Sequence, residues 1–154
     1  MLRYGRGVSI AIVLVIVASA AIFAGLVFWI GRFLRNLRLR SEQRLAPRGN
    51  PRLIANARSL GVTSRDNAQA RGNGTLALYA TELVFVQWIP ERELVLDLAS
   101  ITGVSNVDSH LGKRVGGRLL KVIWADGDGP NSIALHVADL PEWTAALRAL
   151  TSSR

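Results

Sequence analysis

The sequence has no cysteine and only two histidines among its 154 residues. Disulfide bonds and thiolate metal sites are therefore excluded, and two histidines do not by themselves make a structural zinc site. Lysine is scarce as well, since only 2 of the 19 basic residues are Lys. So strong a preference for Arg is typical of a GC-rich bacterial genome. No cofactor or metal is expected from this composition.

Negative charge is almost missing from the first third of the chain. Glu42 is the one acidic residue among residues 1–50, which carry eight arginines and a balance of +7. Residues 51–154 carry the other 11 basic residues against 10 acidic ones, a balance of +1. The excess of positive charge therefore belongs to the N-terminal part. A nucleic-acid-binding domain needs a basic face of its own, so no nucleic-acid partner is expected.

Charge of either sign is absent from Val8 to Ile30. At about 1.5 Å of rise per residue, a helix of this length exceeds the ~30 Å hydrocarbon core of a bilayer. The run predicts a transmembrane helix over residues 8–30, preceded by a short tail over residues 1–7. A cleaved signal peptide is the alternative, with Ala18-Ser19-Ala20 as its cleavage site. The apolar run continues ten residues beyond that site, which favours the uncleaved helix.

Basic residues flank this helix unequally, with more of them on its C-terminal side. Those on the C-terminal side lie in a predicted linker over residues 31–58 and comprise Arg32, Arg35, Arg38, Arg40 and Arg44, followed by Arg48. The positive-inside rule predicts a single-pass protein of the cell membrane, with its N-terminus outside and its C-terminal domain cytoplasmic. The same arginines would attract membrane lipids with anionic headgroups, a role compatible with setting topology.

Small residues follow one stripe of the predicted transmembrane helix: Ala11, Ala18, Ala21 and Gly25. Small side chains let helices approach closely in lipid, so the stripe is a candidate packing face for a protein partner or for a homodimer. The alternative is that Ala and Gly are common in spanning helices and that the stripe has no partner. No complete GxxxG motif is present.

The rest of the chain shows the period of two that is typical of β-strands. Six strands are predicted, over 75–80, 82–88, 93–98, 101–107, 119–124 and 132–137. Gly103 indicates a bulge, and residues 126–131 indicate a hairpin turn. Before the first strand, Pro51–Ser59 is predicted as a short helix and Gly61–Thr63 as a further short strand. His110–Arg118 is predicted as a Gly-rich basic loop.

A helix over residues 140–151 is predicted to close the chain. Trp143, Leu147 and Leu150 lie at i, i+4 and i+7, so they form one apolar stripe that would face the strands. The predicted fold is a single transmembrane helix followed by a mainly antiparallel β barrel or sheet, closed by this C-terminal α-helix. The β domain is assigned to residues 59–154.

Two stretches give this domain a family resemblance. The first comprises Gly74-Thr75-Leu76-Ala77-Leu78 and then Thr81-Glu82-Leu83-Val84-Phe85, and the second is the C-terminal helix with Trp143. In these stretches the domain resembles the pleckstrin-homology-like (PH-like) superfamily, including bacterial PH and GRAM-type domains. The whole chain resembles small actinobacterial membrane proteins with one spanning helix and such a domain. The resemblance implies seven strands and a capping helix. Phosphoinositide-binding members carry Lys and Arg between their first two strands, whereas the Ala80-Thr81 turn is uncharged, so that specificity is not transferred.

The best candidate site is a group of basic residues around the predicted loop: His110, Lys113, Arg114, Arg118 and Lys121. Backbone N–H groups and cationic side chains in a Gly-rich loop can hold a phosphate, so a weak site for an anionic headgroup is one hypothesis. A solvated loop is the other. Asp108-Ser109-His110 has the residue types of a catalytic triad, but neighbours on a strand point to opposite faces, so no catalytic residue is assigned.

Three hypotheses of function follow from these patterns. The first is a non-catalytic, membrane-anchored PH-like interaction module that binds a protein partner or anionic lipid at the cytoplasmic face. The second is a structural or accessory subunit of a larger membrane protein complex. The third is an enzyme acting on lipids, for which the sequence places no nucleophile, base or metal.

Overall fold

The computed structural model describes residues 5–63, 71–126 and 129–152. The chain divides into two compact units, one ending at Leu37 and the other beginning at Arg38. Residues 127–128 of the predicted hairpin turn lie outside the described residues. So does the side chain of Ala11.

A long helix, α1 (Gly5–Leu45), opens the described chain and continues as a 3-10 turn, Ala46–Arg48. From Ile12 to Ile30 every side chain is exposed. The candidate span Ile12–Arg48 reaches a mean hydropathy of 2.7 in its most apolar window, none of it buried. The helix is thus long and apolar enough to cross a membrane, a property that signal sequences share. The predicted helix over residues 8–30 is confirmed as an apolar helix.

The described residues of the second unit form seven strands and one more helix. These elements are β1 (Leu53–Val62), β2 (Arg71–Leu78), β3 (Glu82–Gln87), β4 (Arg92–Asp97), β5 (Ile101–His110), β6 (Lys113–Asp126), β7 (Gly129–Val137) and α2 (Leu140–Ser152). The strands make one antiparallel sheet in the order β4-β3-β2-β1-β7-β6-β5. No described strand pairs with the outer edges of β4 and β5, so the sheet is open. The antiparallel sheet with its C-terminal helix is confirmed.

The predicted short helix over Pro51–Ser59 is wrong, because these residues begin the central strand β1. β1 pairs with β2 on one side and with β7 on the other. Its burial alternates from Leu53 onward, with Ala55 half-buried and Ala57 buried between exposed neighbours. Ala55 and Ala57 face the main core, whereas Ile54, Asn56 and Arg58 lie on the exposed face of this part of the strand. The β domain therefore begins earlier than residue 59, inside the segment predicted as linker.

The predicted basic loop over His110–Arg118 is also wrong, because strands reach into it from both ends. β5 runs to His110 and β6 begins at Lys113, so two residues make the turn. Leu111 and Gly112 both have positive φ, 49° and 72°, as a two-residue type I′ hairpin requires. The predicted bulge is confirmed, since the β5–β6 register shifts between Ile101 and Gly103.

The main core lies between one face of the sheet and α2. Trp143 and Leu147 are 2% and 0% exposed, and Leu150 packs against the same cluster, as predicted. Full burial of such a side chain contributes about 1.5–3 kcal/mol. The core draws its sheet residues from alternate positions of the strands, among them Leu120, Val122, Trp124, Ile133, Leu135 and Val137.

The opposite face of β2 and β3 is buried as well. Ala77, Val84 and Val86 form a second cluster there with Tyr79, and Leu45 from the end of α1 covers it. A strand buried on both faces needs a continuous apolar run, and Leu83–Val86 is such a run. The last turns of α1, which begin the second unit, are therefore part of the packing of the β domain.

Candidate functional site

The β5–β6 hairpin places two of the predicted site residues beside its turn. Lys113 lies opposite His110 and Arg114 lies opposite Ser109. Both cations are exposed. Their position follows from the type I′ turn, which holds the two strand ends in register. The hairpin end therefore presents positive charge to solvent.

Arg118 and Lys121 lie further along β6. Arg118 Nε is 3.6 Å from Asp108 Oδ1, with side chains 65% and 75% exposed. An ion pair this exposed is worth little, about 0–1 kcal/mol, so Arg118 keeps most of its capacity to attract another anion. Lys121 is half-buried in the sheet, between Ser105 on β5 and Ala134 on β7.

His110 is not exposed beside these cations. It is 5% exposed, and its Nε2 donates to the carbonyl oxygen of Gly61 at 3.1 Å. Burial lowers the pKa of His110 below its ordinary value, against the opposing effect of the Gly61 hydrogen bond, and the charges of Lys121 and Arg71 lower it further. A neutral, buried imidazole tied to β1 serves to hold the hairpin in place.

The structure thus separates the predicted group of basic residues into two. Lys113, Arg114 and Arg118 lie exposed along the hairpin and can meet an anion. His110 instead bonds Gly61 on β1, and the charges of Lys121 and of Arg71 on β2 act on its imidazole. Among the described residues, no group of three or more His, Asp or Glu side chains could hold a metal ion.

A polar chain that sequence reasoning missed joins the end of α1 to the sheet. Trp88 Nε1 donates to Thr75 Oγ1 at 3.1 Å, and Thr75 Oγ1 lies 2.6 Å from Ser41 Oγ. Ser41 Oγ donates to the carbonyl oxygen of Arg38 at 2.7 Å, so the proton between the two hydroxyls belongs to Thr75. Ser41 and Thr75 are 2% and 1% exposed, so the bond between their hydroxyl groups is shielded from solvent, while Trp88 is half-buried.

The C-terminus of α1 is capped by the tyrosine that directly follows β2. Tyr79 Oη donates to the carbonyl oxygen of Leu45 at 3.2 Å. The last carbonyls of a helix have no partner within the helix, so this bond satisfies one of them. Burial raises the pKa of the Tyr79 hydroxyl, which keeps it protonated and able to donate.

Ion pairs surround this contact. Arg48 bonds Glu82 at 2.7 Å and also bonds Glu93, and Arg44 bonds Glu91 at 2.6 Å. The hydrogen bond to Glu82 is the main cause that raises the pKa of Arg48. Pairs at this exposure contribute about 0.2–1 kcal/mol each. Three glutamates on neighbouring strand ends are the signal in the sequence, but their spacing alone does not identify their partners.

The predicted membrane-flanking arginines accordingly differ from one another. Arg44 is paired with the β3–β4 connection, and Arg38 pairs with Glu42 one helical turn away at 2.8 Å. Arg32, Arg35 and Arg40 are exposed and make no ion pair with another described residue.

The described part of the predicted helix-packing stripe faces outward. Ala18, Ala21 and Gly25 are exposed, and a Cβ added to Gly25 would meet nothing within 4 Å.

Comparisons with known proteins give a fold and no function. No protein-family model matches the chain, and no curated protein matches it. A solved structure described as the C-terminal domain of an unknown protein from Leishmania infantum is similar to it, with a TM-score of 0.52 and 13% sequence identity. The match covers 77% of this chain and 98% of that one. At this identity the similarity concerns the fold alone.

Proposed function

We propose that the chain is a single-pass membrane protein whose cytoplasmic PH-like domain is a non-catalytic interaction module, with exposed hairpin cations that bind anionic lipid headgroups. One observation carries the proposal. A single helix begins in an exposed apolar run, and its last turns are built into the β domain through Ser41 and Leu45. Such a helix suits a domain that works at a membrane.

The PH-like assignment draws support from the strand count and from α2. The resemblance implies seven strands and a capping helix, and the described residues contain seven strands followed by a helix that buries Trp143. The seventh strand is the one that the predicted short helix had concealed. The cytoplasmic location rests on the arginines that follow the apolar run.

The lipid-binding part rests on charge and exposure. Lys113, Arg114 and Arg118 lie within six residues of one another on an exposed hairpin. Among the described residues, Arg118 is the only one of the three with an ion pair, and its partner Asp108 is itself exposed. Each basic residue near an anionic membrane surface contributes about 1 kcal/mol. Three such residues suffice for a weak, reversible contact by a domain that is already anchored.

Amide hydrogen exchange of the full chain in lipid nanodiscs tests this contact. We expect exchange in residues 109–118 to slow when phosphatidylglycerol is added to phosphatidylcholine. The variant K113Q/R114Q/R118Q should lose that lipid-dependent slowing. The control R52Q/R58Q/R92Q removes three other exposed cations and should keep it. Equal exchange in both lipids, or equal loss in both variants, would contradict the proposal.

A second candidate is an accessory subunit of a membrane complex, favoured by the exposed Ala18, Ala21 and Gly25. Small residues let a second helix approach closely in lipid. Native gels of the full chain from its own membranes, in mild detergent, discriminate: a stable larger complex supports the subunit role, and a solitary monomer speaks against it.

A further inference from the structure

A shallow depression lies on α1 where its apolar run ends. It has a volume of about 260 Å³ and is lined by Phe28, Gly31, Arg32 and Arg35. These positions fall at i, i+3, i+4 and i+7, so they share one helix face. Gly31 contributes no side chain to this lining, and a Cβ built there would meet nothing within 4 Å, so the space beside it is open.

The lining combines an apolar ring with two cationic side chains. Phe28 is 73% exposed and belongs to the apolar run, while the guanidinium groups of Arg32 and Arg35 lie on the polar side of Gly31. Guanidinium groups bind phosphate oxygens through two parallel N–H donors. Neither arginine makes an ion pair with another described residue, in contrast to Arg38. Their donors are therefore available to a ligand.

The adjoining helix surface has the aromatic character of a membrane interface. Trp29 stacks on Phe33, with ring centroids 5.8 Å apart and ring planes 8° from parallel. Trp residues are enriched at the level of lipid headgroups. One side of the depression is apolar and the other side carries two cations. A single phospholipid molecule is complementary to both, because its acyl chains are apolar and its phosphodiester is negatively charged.

We infer that this depression binds one anionic phospholipid, with its phosphodiester between Arg32 and Arg35 and its glycerol and acyl region against Phe28. The inference rests on the proposed membrane anchoring. A second copy of the chain is a poorer occupant, because a symmetric contact would bring the two arginines of one helix against the same two of the other. Like charges at this spacing repel.

Native mass spectrometry of the full chain, released from bilayers of phosphatidylcholine and phosphatidylglycerol, tests the site. We expect phosphatidylglycerol to be retained preferentially, and R32Q/R35Q to weaken its retention by roughly ten- to thirty-fold. The matched control R38Q/R40Q removes the same charge one to two turns away and should change retention little. Gly31→Leu keeps both charges and fills the depression, so it should also weaken retention.

Distinct results would overturn the inference. Equal losses in R32Q/R35Q and R38Q/R40Q would mean diffuse attraction by the flank. Unchanged retention in Gly31→Leu would mean that the depression is not the binding site. Displacement by inorganic phosphate alone would identify a free anion as the ligand. If the full chain enters bilayers but shows no preference for phosphatidylglycerol, the lipid site fails by itself. If it does not enter bilayers, the proposed anchoring fails as well.

Discussion

At the scale of single residues, His110 makes the stability of the domain depend on pH. Burial lowers the pKa of the folded imidazole below its ordinary 6.5. The unfolded chain therefore binds the proton more readily, and protons favour unfolding. The stabilising effect is complete above pH 6.5 and is lost as the pH falls from 6.5 through the lower pKa of the folded state.

We predict that His110→Gln reduces this loss, because the glutamine amide can still donate to Gly61 but does not titrate. Thermal unfolding of the full chain in mild detergent, on both sides of pH 6.5, measures the difference. His136→Gln is the control, since His136 is exposed on β7. The explanation fails if His136→Gln flattens the pH dependence as much as His110→Gln does.

Thr75 tests the polar chain between Trp88 and Ser41. Thr75→Val keeps the shape of the side chain but removes the hydroxyl. The indole N–H of Trp88 then loses its acceptor, and the buried hydroxyl of Ser41 keeps only its bond to the carbonyl oxygen of Arg38. Leaving buried polar groups unsatisfied costs about 1–3 kcal/mol. Denaturant unfolding should show that loss, while Thr102→Val, at an exposed site, should change the free energy of unfolding by less than about 0.5 kcal/mol. Similar losses of unfolding free energy in the two variants would contradict a stabilising role of the hydrogen bonds that join Trp88, Thr75 and Ser41.

At the scale of elements, the end of α1 behaves as a part of the sheet's packing. We predict that Leu45→Ala destabilises the domain by about 2–4 kcal/mol, because Leu45 is 3% exposed and covers the second cluster. Hydrogen exchange should rise in residues 41–48 and in β2 and β3. Leu39→Ala is the matched control, since Leu39 is 47% exposed. A Leu45→Ala variant as stable as the control would show that the contact is dispensable.

The elements that could be predicted are those whose side-chain period records their burial. α1 contains the uncharged run Val8–Ile30, and α2 has Trp143 and Leu147 one turn apart. Large apolar residues recur at every second position of β6, from Leu120 to Trp124, and of β7, from Ile133 to Val137. The sequence does not predict β1 as a strand, because its inward-facing residues Ala55, Ala57 and Ser59 are small and do not form a clear pattern of alternating hydrophobicity. Its identity as a central strand comes from its pairing with β2 and β7.

The sequence predicts which basic residues belong to the candidate site, but it does not predict how the structure arranges them. Lys113 and Arg114 are exposed, as a basic loop suggests, but the loop is a hairpin whose turn is only two residues long. His110 is buried because the hairpin reaches Gly61, which lies 49 residues earlier in the chain. The contact of Ser41 with Thr75 spans 34 residues. Local patterns carry no information about pairs this far apart.

At the scale of the whole molecule, the absence of cysteine allows the proposed topology to be measured directly. Ser152→Cys introduces the one thiol of the chain, at an exposed position near the end of α2. We predict that a membrane-impermeant maleimide labels it in inside-out vesicles and not in intact cells. Labelling in intact cells would place the domain outside and overturn the cytoplasmic assignment.

The packing of Leu45 also decides where the chain can be cut. A fragment that starts at Pro51 lacks Leu45, so the apolar side chains of Ala77, Val84 and Val86 would be exposed to water. A fragment that starts at Arg38 keeps Leu45 over this cluster. We expect residues 38–154 to elute as a soluble monomer in size-exclusion chromatography and residues 51–154 to self-associate. A preparation of the β domain for crystallisation should therefore keep residues 38–45, the last eight residues of α1.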